Sequence, residues 1–375
     1  MNRIKILILI LFVFLGCAKI NLKNHSFTKQ NITNWSMFGG NPERTNFYPG
    51  NILLPLDLSF RFSTQAAIGK TITVNNGVIF FTTMDGNLYA LDIEKGKKLG
   101  RKKTELHSTV AVTDSLAFIA RRYGDDTLFK YNLYKSRTEW HFNAGDISSE
   151  PLLLEDNIVI TALYKHIDMY DIKSGEKKWT FETDDNIHSS PAANGDRIFF
   201  GCDDGFVYAL NSNNGQLVWK FQTEGSVQST PTIKEETVYI GSTDFSLYAL
   251  DFKSGEQKWK FETGGQLFHA NAVNDSLIIT GSTDACLYCL NRHTGELLWK
   301  FEAGSVISTS PLICNNKVFV GSLDHFYYAL DISTGEELWS FETKGRIRTA
   351  PVIWENYFIG ASENNFVYIF KGAEE

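Results

Sequence analysis

Apolar and polar residues alternate along this chain in short runs, and each run is cut by turn residues. The stretch from Ser189 to Thr223 shows the unit. Ser189–Ala193 (SSPAA) ends at Asn194-Gly195, and Arg197–Gly201 (RIFFG) is a β-branched and aromatic run. After the acidic turn Asp203-Asp204-Gly205 comes FVYAL, and after Asn214-Gly215 comes QLVWKFQT. No window carries the 3.6-residue period of a helix, so the pattern predicts a meander of four antiparallel strands.

The meander recurs. Trp179, Trp219, Trp259, Trp299 and Trp339 fall 40 residues apart, with Trp140 39 before the first. Pro151, Pro191, Pro231, Pro311 and Pro351 keep the same period, with Asn271 in the gap, as do Tyr208, Tyr248, Tyr288, Tyr328 and Tyr368. A period near 40 filled with short strands predicts propeller blades. Units begin near Thr71, Thr109, Ser149, Ser189, Ser229, His269, Thr309 and Thr349, and the eighth lacks its outer strand. Leu58–Thr64 (LSFRFST) supplies it from the front, with Phe60 where the other units have Trp. The expected fold is therefore all-β: an eight-bladed propeller of four-stranded antiparallel blades spanning residues 56–370, within one domain over 35–375. An N-terminal strand closes it and removes the exposed sheet edges.

Within the repeated run, Asp251 and its equivalents can close an Asx-type turn, and Gly255 and its equivalents supply a positive φ. One Trp per blade then emerges at a fixed offset, so Trp140, Trp179, Trp219, Trp259, Trp299 and Trp339 are expected to dock each blade on its neighbour. An array that recurs in every blade makes a shape rather than a catalytic centre. This pattern (Ala, Asp or Asn two on, Ser/Thr-Gly, then Trp four after the Gly) resembles the tryptophan-docking motif of the pyrroloquinoline-quinone-type repeat family. Two blades depart from it. Gly100 replaces the first Trp, and the second blade has Lys130 and Ser136 at the Ala and Gly positions. Looser packing is expected between those two.

The front of the chain, MNRIKILILILFVFLGC, has basic Arg3 and Lys5 and an apolar core from Ile6 to Leu15. That core is shorter than the ~20 residues a membrane span needs, so residues 1–16 read as an export signal. Leu15-Gly16-Cys17 resembles the bacterial lipoprotein box, which implies lipidation at Cys17 and a tether over residues 17–34. Ala18, where that family uses Asp for inner-membrane retention, implies the outer membrane, facing the periplasm or the cell surface. The segment Trp35–Phe47 (WSMFGGNPERTNF) is similar to the opening of the family's outer-membrane propeller lipoproteins, scaffolds of the β-barrel assembly machinery.

The net charge is −7, and losing Arg3 and Lys5 with residues 1–16 takes it to −9, which argues against nucleic acid as a partner. Cys286 and Cys289 lie in an expected strand, where i and i+3 point to opposite faces, so they make no metal or redox pair. The four later cysteines are expected to be free and structural, with a disulfide involving Cys202 or Cys314 as the alternative.

Variation is concentrated where the inner strands begin, at the expected mouth of the central channel. Lys70, His107, Glu150, His188, Gln228, His269 and Arg348 are the candidate binding residues there. A ring of hydroxyls beside them (Ser108, Ser149, Ser189, Ser229, Thr309, Thr349) is expected to be satisfied polar lining. The histidines and Glu150 come from four blades, so spacing alone gives no metal site, and no nucleophile–base pair stands out. The resembled family includes quinoprotein dehydrogenases, whose quinone lies beneath an adjacent-cysteine disulfide and over a Trp, beside a calcium ion. This sequence has no adjacent cysteine pair and no CxxCH, so none of their catalytic residues can be placed on it. The expectation is a monomeric, membrane-anchored, non-enzymatic scaffold that binds proteins and needs no cofactor or metal. The alternatives are a surface or periplasmic propeller binding a ligand or polymer and, last, a quinoprotein dehydrogenase.

Overall fold

The computed structural model describes residues 19–23, 34–147 and 149–374, and Cys17 lies outside them. Among the described residues, eight four-stranded antiparallel blades follow one another around a ring with no helix, and the seventh gains Phe47–Tyr48 as a fifth, parallel strand. Blades 1 to 7 are continuous in sequence, from Ile68–Lys103 for the first to Leu312–Glu342 for the seventh. Blade 8 takes Val352–Trp354, Tyr357–Ser362 and Phe366–Gly372 from the end of the chain and its outer strand, Leu56–Ser63, from the beginning. That strand pairs antiparallel with Phe366–Gly372, from Leu56↔Gly372 to Ser63↔Phe366, with a bulge between Leu58 and Phe60. The other outer strands bulge at the same place before their Trp, so Phe60 holds the Trp position.

The innermost strands are shorter than the sequence pattern indicates. In blade 4 the strand is Ala192–Asn194, not Ser189–Ala193. Pro191 has no N–H to give to the ladder, so pairing starts after it. Blades 1 and 2 carry Ile72 and Val110 at that position and have longer inner strands, Ile68–Asn75 and Ser108–Val112.

The core lies between blades, and the repeated residues build it. Each Trp ring lies on the turn glycine of the next blade: Trp140 on Gly175, Trp179 on Gly215, Trp219 on Gly255, Trp259 on Gly295 and Trp299 on Gly335. A β-carbon at Gly215 would sit 2.7 Å from the Trp179 ring, so the glycine is a seat as well as a turn. Each indole N–H then donates to a carbonyl in that turn, as Trp179 to Ser212 (2.9 Å) and Trp259 to Arg292 (3.0 Å). Phe60 uses Gly96 in the same way, and Trp339 packs edge-on against Phe370 at 5.4 Å. A second aromatic ring runs inside the first. The outer-strand Phe of one blade meets the Tyr of the next edge-on, as Phe221 with Tyr248 at 5.5 Å and Phe301 with Tyr328 at 5.1 Å. The same tyrosines anchor the outer turns, with Tyr208 donating to Asp204 and Tyr248 to Asp244, both at 2.7 Å.

The seam between blades 1 and 2 is not loose, because residues 19–23, part of the stretch read as a tether, are docked in it. Ile20 fills the space of the missing Trp. It is 0% exposed, and its Cα lies 2.5 Å from where a Gly100 β-carbon would be. The Ile20 carbonyl accepts from Ser136 Oγ (2.8 Å) and Tyr131 OH (3.3 Å), and Leu22 N–H donates to the Leu133 carbonyl (3.0 Å). Cys202, Cys286, Cys289 and Cys314 are all free and buried. Burial pushes the Cys202, Cys289 and Cys314 thiols up to about 12, which leaves them unreactive.

Candidate functional site

One end of the central channel is closed. Residues 35–48 run beneath the inner strands and bind every blade in turn. Trp35 and Val74 exchange both backbone hydrogen bonds at 2.8 Å in blade 1, and Val112 N–H of blade 2 donates to the Ser36 carbonyl. Ala193, Ile233, Val273 and Ile313 of blades 4 to 7 donate to the carbonyls of Pro42, Glu43, Thr45 and Asn46, all at 2.9 Å. Phe47–Tyr48 then pairs parallel with Ile313–Cys314, and Tyr48 OH accepts from Glu355 N–H of blade 8 at 2.7 Å. Blade 3 is reached by Arg44, which is 0% exposed. Its guanidinium donates to the carbonyls of Phe38, Glu150, Pro151 (3.2 Å) and Pro191 (3.0 Å), so a buried cation is held by peptide dipoles. Burial lowers its pKa to about 10, against the opposing pull of Glu150, so it stays charged at neutral pH.

Above that floor the channel is a funnel of about 620 Å³. Lys70, His107, Glu150, His188, Gln228, His269 and Arg348 all line it, although they come from seven blades. The fold brings them together because Lys70 lies in its inner strand and the others lie just before theirs, and inner strands converge on the axis. Ser148, between His107 and His188 in that series, lies outside the described residues.

The six hydroxyls beside them all donate to main-chain carbonyls. Ser108 bonds Glu105 (2.9 Å), Ser149 bonds Thr161 (3.0 Å) and Ser189 bonds Ser190 (3.2 Å). Ser229 bonds Gly241 (2.7 Å), Thr309 bonds Gly321 (3.4 Å) and Thr349 bonds Gly69 (2.8 Å). Each hydroxyl has one proton, so none here is presented to a general base. They are wall.

The charged groups divide into held and free. Glu150 accepts from Ser190 Oγ (2.5 Å), and His188 Nε2 lies 3.4 Å from Asp203, which also accepts from Gln228 Nε2 (2.9 Å). Arg348 and Arg346 both bond the Glu363 carboxylate, at 2.8 and 2.7 Å. Burial alone would raise that carboxyl, but the two arginines outweigh it and hold the pKa below the usual range. His269 sits deep in the funnel, half-buried, where burial and the nearby charges of Lys70 and Arg348 push its pKa down to about 4. It is therefore neutral at pH 7. Among the described residues Lys70 has no carboxylate partner, and Arg122 Nε is buried without a hydrogen bond. His107, exposed and at φ 54°, packs edge-on to Tyr123 at 6.1 Å, and Arg122 lies over the same ring. No three His, Cys, Asp or Glu side chains among the described residues come close enough to hold a metal ion.

Sequence alignment of the inner strands missed Arg122 and Glu363, which reach the funnel from the loops between second and third strands. A signal for Arg122 was present in the run Arg121-Arg122-Tyr123, at a turn that carries Asp in blades 1, 4, 5, 6 and 7. Counting all of them, the funnel wall carries the cations Lys70, Arg122 and Arg348 against Glu150 and Glu363, with the neutral His269 and with His107 and His188 beside them. It is suited to bind carboxylate or phosphate oxygens by charge-assisted hydrogen bonds.

The family described as the β-propeller of beta-alanine-activating enzyme matches residues 147–375. A quinoprotein ethanol dehydrogenase of Pseudomonas aeruginosa is 29% identical over 96 residues, 22% of this chain but only 15% of that protein's length. Among solved structures, BamB from Moraxella catarrhalis superposes with a TM-score of 0.72 at 20% identity, covering 84% of this chain and 100% of BamB. Quinohemoprotein alcohol dehydrogenase from Comamonas testosteroni gives 0.77 at 13% identity, covering 92% of this chain and 81% of the enzyme. The shared feature is the eight-bladed pyrroloquinoline-quinone-type propeller.

Proposed function

The chain belongs to the family of the beta-alanine-activating enzyme β-propeller, and on that premise we propose that it is a non-enzymatic, BamB-like scaffold of the bacterial envelope. In this reading it is monomeric, anchored to the outer membrane through Cys17, and binds protein partners at the funnel mouth. The observation that carries the proposal is where the repeat stops repeating. Trp, Gly, Phe, Tyr and Asp of each unit are used up in blade docking and turns, while Lys70, His107, Arg122, Glu150, His188, His269 and Arg348 differ from blade to blade and converge on one mouth. A rigid rim with a cation-rich centre suits an acidic protein segment.

A quinoprotein dehydrogenase is less well supported. Among the described residues the funnel is lined by no Trp and no Cys, and its two carboxylates are already bonded, Glu150 to Ser190 and Glu363 to two arginines. These residues do not fit a quinone with calcium.

Affinity purification of the full chain from membranes, with and without Lys70→Glu and Arg122→Glu, tests the proposal. Outer-membrane assembly proteins should co-purify with the unaltered chain and be lost from the double variant. An identical set of partners with both chains would overturn the mouth as the docking site. Dye-linked alcohol oxidation after adding the quinone and calcium would replace the scaffold reading with the enzyme one.

A further inference from the structure

The blade 1 rim differs from every other rim of the disc. Its outer strand, Lys98–Lys103, reads KLGRKK, with four cations, no acid and no Trp. Blades 3, 5, 6 and 7 carry KKWTFE, QKWKFE, LLWKFE and ELWSFE in the same place. Lys95 and Lys97 extend the run, and Lys19 and Lys23 join it from the docked strip in the adjoining seam. Lys95 lies 3.6 Å from Asp92, and Lys103 donates to the Asp85 carbonyl at 2.6 Å. Among the described residues Lys19, Lys23, Lys97 and Lys98 are exposed and have no carboxylate partner. The acids nearby are Asp85, Asp92, Glu94 and Glu105, with Asp85 facing Lys103, Asp92 facing Lys95 and Glu105 3.7 Å from Arg121. The charges are close enough to repel: burial, Arg121 and Lys19 together lower the Lys102 pKa. Concentrating them on one edge of a chain of net charge −7 runs against its overall balance.

We propose that this rim lies against an anionic phospholipid surface, with the lysines of Lys95–Lys103 and the docked strip contacting headgroup phosphates. The inference rests on the membrane-anchored reading and gives it an orientation. Lys19 follows Cys17 by two residues, which span at most ~7 Å. Because Ile20 and Leu22 are locked in the blade 1–2 seam, any anchorage through residues 1–17 must leave the folded body at this edge. A basic patch beside a lipid anchor adds an electrostatic contribution to attachment on an anionic surface. Each lysine near an anionic surface contributes roughly a fivefold gain in partition, screened over about 10 Å at moderate salt. An acidic protein would meet the same charges, but it has no reason to sit where the chain enters the disc.

The full chain should be reconstituted into vesicles of phosphatidylcholine alone and of phosphatidylcholine with phosphatidylglycerol, and its lysines labelled by brief acetylation. Lys97 and Lys98 should label at least threefold more slowly with phosphatidylglycerol present, and recover in 0.5 M salt (on the order of a 4 Å screening length). Lys173 and Lys253, exposed at the same turn of blades 3 and 5, should be unchanged. Lys97→Glu with Lys98→Glu should abolish the protection of Lys95 and Lys103. If the chain floats with both vesicles while Lys97 and Lys98 label equally, the rim is not a membrane surface, and the anchor reading stands without it. If the chain floats with neither, the anchor reading fails too. Protection seen only in native membranes, and removed by mild protease, would assign the rim to an acidic protein and overturn the lipid proposal.

Discussion

If the Trp–Gly contact is what joins blades, disturbing it from both sides should give coupled effects. Trp259 is 9% exposed, donates to the Arg292 carbonyl, and lies on Gly295, whose φ is +76°. Trp259→Ala removes a buried aromatic ring and should destabilise by ~3–5 kcal/mol. Gly295→Ala adds ~1–2 kcal/mol of left-handed strain. It also adds ~1–3 kcal/mol of overpacking, since its β-carbon would stand 2.8 Å from the indole. Gly195→Ala is the control, because at φ +58° a β-carbon there meets nothing within 4 Å, so only the ~1–2 kcal/mol of strain remains. In the double variant the alanine methyl enters space left by the ring, so the two losses should fall short of their sum by ~1–3 kcal/mol. Guanidinium midpoints followed by far-UV circular dichroism for the four variants would measure this. Additivity within ~0.5 kcal/mol, or equal damage from Gly195→Ala and Gly295→Ala, would refute the seat.

Two further outcomes are expected. Ile20→Ala should destabilise by ~2–5 kcal/mol, read as a lowered unfolding midpoint, because Ile20 substitutes for an absent tryptophan and is fully buried; no change would return residues 19–23 to the status of a tether. His269 has its folded pKa near 4, below an unfolded value of ~6.5. Between those values the unfolded chain binds more protons, so stability should fall as pH drops from about 6.5 towards 4. His269→Gln should flatten that part of the midpoint-versus-pH curve, and an unaltered curve would show that the acid sensitivity lies elsewhere.

Most of the ring was legible because each structural role is written many times over. A Trp at an interval of 40, or the Phe60 that stands in for one, identifies itself by position, and the overhang of Leu58–Thr64 announced closure. Single-copy features were not legible. The floor contacts of residues 35–48 are made mainly by main-chain carbonyls, which any residue provides, and Arg44, Asn46 and Tyr48 add side-chain bonds that no repeat announces. The gap at Gly100 was visible, but nothing in Ile20 says that it fills it. Aligning inner strands found seven mouth residues and missed Arg122 and Glu363, which arrive from loops with no strand periodicity.

The floor segment also sets an order of assembly. Residues 35–63 are synthesised before any blade, yet their partners include Glu355 and Phe366–Gly372 near the far end of the chain. The part made first is therefore the part completed last. Until residue 372 is available, Leu56–Ser63 is an unpaired strand and the last blade has a bare edge. Contacts this distant in sequence slow folding, and open edges invite pairing with other chains. Ring closure thus acts as a checkpoint on synthesis through the last blade: a polypeptide that stops before Phe366 forfeits the pairing with Leu56–Ser63 and is marked as defective by its own exposed strands.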